Sequence, residues 1–150
     1  MKSDFVQLVF ALLVLVIGGA VEEMFPKILG VGCPVLLMAT AFLAARRSRM
    51  AAVLFALAAG GVEDALSLLP VATSVSFFTV VALVSRTARL SWLVMSVAYP
   101  AYQFWLWLWH AGSHGFFGRL LVSVPMGLAT AGAVALVLLW LEGRCAIDER

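Results

Sequence analysis

Glu63 and Asp64 sit near the far end of an apolar run, MAAVLFALAAGGVEDALSLLP, at residues 50–70. They are the side chains best placed to do chemistry. A carboxylate at membrane depth costs about 3 kcal/mol on insertion scales, so it is usually kept for a reason. Three functional reasons fit an acidic pair: a proton or cation site, a ligand carboxylate, or an anchor for a partner's basic group. The plainer accounts are a helix cap, interhelical hydrogen bonds, hydration at the interface, or pairing with Arg119 or Lys27. From Met50 to Asp64 is about 21 Å of helix, which puts Asp64 in the outer leaflet rather than at the midplane. Adjacent helical residues point about 100° apart, so one of the two faces the bundle and the other water. The depth favours a structural role over ion chemistry.

The other candidates carry less. Glu22 and Glu23 end the first apolar run and read as a solvated turn. His110 and His114 are four apart, a metal-binding spacing on a helix. Gly112 and Gly115 interrupt any such helix, and no third ligand is near, so they read as incidental loop residues. Cys33 and Cys145 are expected toward opposite sides of a membrane, which argues against a disulfide. No Ser/His/Asp arrangement, glycine-rich phosphate loop or metal-ligand spacing is present. The chain is therefore read as a non-enzyme with no catalytic residues, cofactor or metal.

The elements that position these residues follow from composition. The chain has 150 residues, 64% of them hydrophobic and 12% charged, and its mean hydropathy is +1.08. Soluble domains carry about 25% charged residues. The expected class is an all-α integral membrane protein forming a single domain over 1–150. In lipid the backbone must satisfy its own hydrogen bonds, so apolar runs of this length are helices. Six spans are expected at 5–21, 28–45, 50–69, 71–85, 90–109 and 120–141, or five if the short fourth run does not cross. Pro34 is expected in the first turns of the second span and Pro100 as a kink in the fifth. The tail after Leu141 is read as hydrophilic, and the N-terminal run as a first span rather than a cleaved signal, because further apolar runs follow.

Charge placement orients the spans. With the N-terminus inside, the inner side collects Lys2, Arg46, Arg47, Arg49, Arg86, Arg89, Arg144 and Arg150, and the outer side only Lys27 and Arg119. That bias places both termini in the cytoplasm. Trp105, Trp107 and Trp109 gather at the outer end of the fifth span, and Trp92 and Trp140 near inner ends, as interfacial belts do. A net charge of +2 gives no reason to expect nucleic acid. Ala52, Ala56 and Gly60 are spaced four apart and continue to Asp64, a seam on which another helix can approach closely. Gly127, Ala131 and Ala135 in the sixth span and Gly18 and Gly19 in the first offer similar faces.

The run from Pro34 to Arg89 resembles the rod-shape-determining protein family MreD. The resemblance rests on Pro34, the basic turn ARRSRM, Gly61-Val62-Glu63-Asp64, Ser67, Pro70 and Ser74. It covers a little over a third of the chain in motif-like detail. The family often has glycines in the loop after the Asp, where this chain has Leu68 and Ala72. The resemblance implies a non-catalytic scaffold of the bacterial inner membrane that helps position lateral peptidoglycan synthesis and maintain cell shape. Its implied partners are the bitopic protein MreC and, indirectly, MreB, RodA and a class B penicillin-binding transpeptidase, with membrane lipid around it. Gly61, Glu63, Asp64, Ser67 and Pro70 are then structural or partner determinants, with Ala52, Ala56 and Gly60 as the packing seam. The family fold is similar to the substrate-binding subunits of energy-coupling-factor transporters. That likeness supplies an alternative, a small-solute-binding membrane subunit. A proton or ion pathway through Glu63 and Asp64 is a third reading.

Overall fold

In a computed structural model the chain folds into six helices, and no strand element occurs among the described residues. These are 2–25, 27, 31–67, 72–87, 91–109 and 115–147. The helices are α1 (Lys2–Met24), α2 (Val35–Arg46), α3 (Arg49–Leu66), α4 (Thr73–Thr87), α5 (Ser91–Trp109) and α6 (Phe116–Ile147).

The centre of the fold is α2. It packs against all five other helices, and every residue from Leu36 to Ala44 is buried. A helix surrounded on all sides needs no polar face, and its sequence, VLLMATAFLAAR, has almost none. Thr40, its one polar interior residue, donates its hydroxyl to the Leu36 carbonyl at 2.8 Å, so it brings no unpaired group into the core.

The apolar run over 28–45 predicts a longer second helix than the structure has. Pro34 lies at the cap ahead of Val35, not inside the first turns. A proline disfavours helical backbone at the residue before it, so the helix cannot extend back through Cys33. Twelve residues give about 18 Å of helix, against a hydrocarbon core of about 30 Å. Residues 31–34 precede the helix in non-helical form. Val31 is fully buried, and the Gly32 carbonyl accepts the Tyr99 hydroxyl at 2.7 Å.

Other boundaries shift for local reasons. Glu22 and Glu23 do not break the first helix, which runs on to Met24. The last helix continues through the segment read as a hydrophilic tail, to Ile147. Gln7–Met24 and Phe116–Arg144 are long and apolar enough to cross a membrane. The helices α2 and α4 are apolar but shorter.

Successive helices alternate in direction. At one end the start of α2 meets the end of α1, and the start of α4 meets the end of α3 and the upper part of α5. At the other end Arg46 and Arg47 reach Glu142 on α6, at 3.1 and 3.6 Å, and Arg86 donates to the Arg47 carbonyl. The Ser48 hydroxyl caps α3 there by accepting the Ala51 N–H, which satisfies one of the orphan donors of a helix start.

The α3–α4 pair is packed closest at Gly60. A Cβ added there would lie 2.5 Å from Val75 Cα and 2.7 Å from Val75 N, so only glycine lets the two backbones meet. Ala52 and Ala56 are buried on the same face. Gly61, one residue on, is exposed, and a Cβ there would meet nothing.

Candidate functional site

Three acidic side chains, a polar cavity and the starts of two helices meet at the α1/α3/α5 end of the bundle. Asp64 is 8% exposed. Its Oδ1 accepts the Ser74 N–H at 2.7 Å, and its Oδ2 faces the Val75 N–H at 3.5 Å. These are N–H groups at the start of α4, where the helix has no partners of its own and carries partial positive charge. Asp64 thus acts as a cap supplied from a different helix. The Ser74 hydroxyl bonds in turn to the Tyr102 hydroxyl on α5 at 2.5 Å, and Trp105 donates its indole N–H to the Thr73 carbonyl at 3.0 Å. The junction of α3, α4 and α5 is thereby tied by side chains from two helices to the first residues of a third.

Glu63 points elsewhere, as a 100° step predicts. Its carboxylate accepts the Ser67 hydroxyl at 3.1 Å, one turn on. Ser67 itself is the C-terminal cap of α3, its N–H donating to the Glu63 carbonyl. Neither Glu63 nor Asp64 forms an ion pair with Lys27 or Arg119. Lys27 pairs with Glu23 at 3.7 Å, both largely exposed.

Glu22 overturns its reading as part of a solvated turn. It is 8% exposed, and its Oε1 accepts the Leu36 N–H at the start of α2 at 2.7 Å. It therefore caps α2 from α1 much as Asp64 caps α4 from α3. Its Oε2 is buried, and the Glu63 carboxyl is a close acidic neighbour of Glu22. Glu23 is the solvated member of the pair.

Glu22 and Glu63 line a cavity of about 530 Å³. Gly32, Cys33 and Pro34 form one wall, and Tyr99, Tyr102 and Gln103 of α5 another. Trp107 of α5 and Phe116 of α6 meet there with ring centroids 5.0 Å apart and planes tilted by 35°, and Arg119 of α6 also lines it. The tryptophans of the run over 104–109 have different surroundings. Trp105 is hydrogen-bonded into the junction, Trp107 walls the cavity, and Trp109 is 56% exposed.

The remaining residues singled out in the sequence fall as follows. Cys33 is a free thiol, 3.2 Å from the Thr130 hydroxyl of α6. Pro70, His110 and His114 lie outside the described residues. The structure brings Glu63, Asp64 and Ser67 to one end of α3 and leaves Gly61 on its exposed side. The cavity residues Tyr99, Tyr102 and Gln103 gave no signal in the sequence, where they look like ordinary members of an apolar span. The chain matches no protein-family model, no curated protein and no solved structure.

Proposed function

We propose that this chain is a multi-pass membrane scaffold of the MreD type. Its six helices lie in the bacterial inner membrane, with both termini in the cytoplasm. It binds the transmembrane helix and juxtamembrane segment of MreC. Through MreC it helps position lateral peptidoglycan synthesis alongside MreB, RodA and a class B transpeptidase, and so maintains cell shape.

One observation carries the binding role. α1 packs only on α2 and α3, and α6 only on α2 and α5, so among the described residues these two long helices do not touch each other. Their apolar faces stay open, with Val16 70% and Leu121 74% exposed. Lipid covers such a face at no cost, and so does a partner helix. The sequence resemblance also supports the reading, because those of its residues that are described lie on or next to α2, α3 and α4, which pack on one another. The bilayer placement draws on the end-to-end division of charge. Arg46, Arg47 and Arg86 cluster at one end, on the side that the positive-inside rule assigns to the cytoplasm.

The test is co-purification of this chain with MreC from the same cell in detergent. The expected result is a stable pair, with cysteine crosslinks from the MreC helix to Leu12→Cys and Leu128→Cys. No pair under conditions that preserve other membrane complexes would overturn the reading. A periplasmic reporter active after Arg47 or at Arg150 would overturn the topology.

A further inference from the structure

We propose that the arginine-rich end of α3 and α4 binds the headgroup of a dianionic phospholipid, its two phosphates on Arg49 and Arg86 beside Arg47. The site needs the membrane placement of the scaffold reading but not MreC, so lipid binding and MreC co-purification can fail separately.

The first argument is a surplus of guanidinium groups gathered at one turn. Arg47 and Arg49 are two residues apart, at most about 7 Å of chain. Arg86 arrives from α4 and donates to the Arg47 carbonyl, which leaves most of its five N–H donors unused. Among the described side chains Glu142 is the one acid at this end, and Arg46 and Arg47 already hold it. Arg49 and Arg86 are exposed and pair with no acid among the described residues. By sequence Asp4, Asp148 and Glu149 belong to the same side, but so do Lys2, Arg89, Arg144 and Arg150, so the surplus stands. Arg49 also opens α3, whose first turn holds no acidic residue. A cation at a helix start works against the dipole, and an anion from outside offsets it.

The second argument is that the surrounding groups are held in place. The Arg46 guanidinium lies 4.8 Å from the Phe42 ring centroid, and that of Arg47 lies 6.0 Å from the Phe10 centroid. Arg86 is fixed by its bond to the turn. A guanidinium engages a phosphate with two parallel hydrogen bonds, and its planar fork loses little freedom in doing so. Two guanidiniums without acidic partners match two phosphates. A headgroup with one phosphate leaves one of them bare.

The third argument chooses a lipid over an acidic protein segment. Around α2 the outer helices follow in the order α1, α3, α4, α5, α6, each packed on the next. The faces given to MreC lie at the gap between α6 and α1, and α4 stands across α2 from that gap. The flank of α3 and α4 is apolar, with Met50, Leu54, Leu57, Val80, Leu83 and Val84 exposed. Leu83 lies three residues before Arg86, on the same side of the helix. A headgroup on Arg49 and Arg86 can lay its acyl chains along this flank and leave the MreC faces free. An acidic protein segment brings no such chains. The cytoplasmic leaflet is the one rich in anionic lipid.

The experiment is native mass spectrometry of the full chain released from detergent. It is titrated with diphosphatidylglycerol, phosphatidylglycerol and phosphatidylethanolamine, and the bound lipid is then challenged with inorganic pyrophosphate and with tetraglutamate. Diphosphatidylglycerol is expected to bind about tenfold more tightly than phosphatidylglycerol, the step for one further charge-assisted contact, and neither soluble anion should displace it. Arg49→Gln should remove that preference. Its side chain makes no polar contact among the described residues, so the variant should fold. Arg86→Gln should act likewise. Arg144→Gln is the control of equal charge, because Arg144 stands over Trp140 on α6, which packs on neither α3 nor α4. It should keep the preference. Equal binding of the two anionic lipids would overturn the two-phosphate site, and equal binding of all three would overturn any anion site. Equal losses in the Arg49, Arg86 and Arg144 variants would overturn it too, leaving only a diffuse positive field. Displacement by pyrophosphate or by tetraglutamate would overturn the choice of a lipid, in favour of a soluble anion or an acidic segment.

Discussion

The carboxylate of Asp64 on α3 accepts the backbone N–H of Ser74, the second residue of α4, at 2.7 Å. Both residues are buried. One acidic side chain therefore closes the start of a neighbouring helix in a setting where water cannot. Removing it should be expensive. Asp64→Ala leaves the Ser74 and Val75 N–H groups without an acceptor, and a loss of about 1–3 kcal/mol is expected. Asp64→Asn keeps an oxygen and should lose less, since Asn and Asp cap almost equally well. Thermal unfolding of both variants in detergent checks the order. Equal losses would mean that charge against the helix dipole, rather than the hydrogen bond, is what Asp64 supplies.

Ala72, just ahead of α4, has a backbone φ of 73°. That is left-handed territory, which costs an L residue with a Cβ about 1–2 kcal/mol. It is also one of the two positions at which the MreD resemblance leads one to expect glycine. Ala72→Gly is expected to raise stability by about 1 kcal/mol, the relief of strain being partly offset by the greater freedom of glycine in the unfolded chain. A lowered unfolding temperature would contradict this.

Gly60 and Gly61 make an internal control. Gly60→Ala drives a Cβ into the Val75 backbone, and backbone cannot rotate away as a side chain can. A cost of about 1–3 kcal/mol follows from the overpacking. Gly61→Ala meets nothing and should be neutral to about 1 kcal/mol more stable through helix propensity. The same pair should separate in the lifetime of the folded state, measured as resistance to proteolysis at raised temperature.

How far the sequence reveals this arrangement depends on the residue. The helical class and the approximate runs follow from apolarity alone, and the spacing of Ala52, Ala56 and Gly60 marks the buried face of α3. The split between Glu63 and Asp64 follows from the helical repeat. The length of α2 is not legible, because residues 31–34 are as apolar as the helix and only Pro34 marks its start. Glu22 is illegible for a different reason. α1 is apolar nearly all round, so nothing in its sequence says which of two adjacent glutamates faces inward. All six helices contribute to the cavity, and no local pattern records that Gly32, Glu63, Tyr102 and Arg119 come to one place.

Glu22 and Glu23 therefore offer the sharpest test of what the structure adds. They are the same residue type, adjacent, at the end of the same helix. Glu22→Ala removes the acceptor for the Leu36 N–H at the start of the central helix, and a loss of about 1–3 kcal/mol is expected from a buried donor left unsatisfied. Glu23→Ala breaks an exposed ion pair with Lys27, a contact worth at most about 1 kcal/mol and screened by salt. Glu22→Gln keeps an acceptor for Leu36 and brings an amide donor toward Glu63, so it should be tolerated better than Glu22→Ala. The check is thermal unfolding of the three variants at low and high salt. Only the Glu23 effect should shrink with added salt, and near-equal losses for the two alanine variants would return Glu22 to the solvated turn that the sequence suggests.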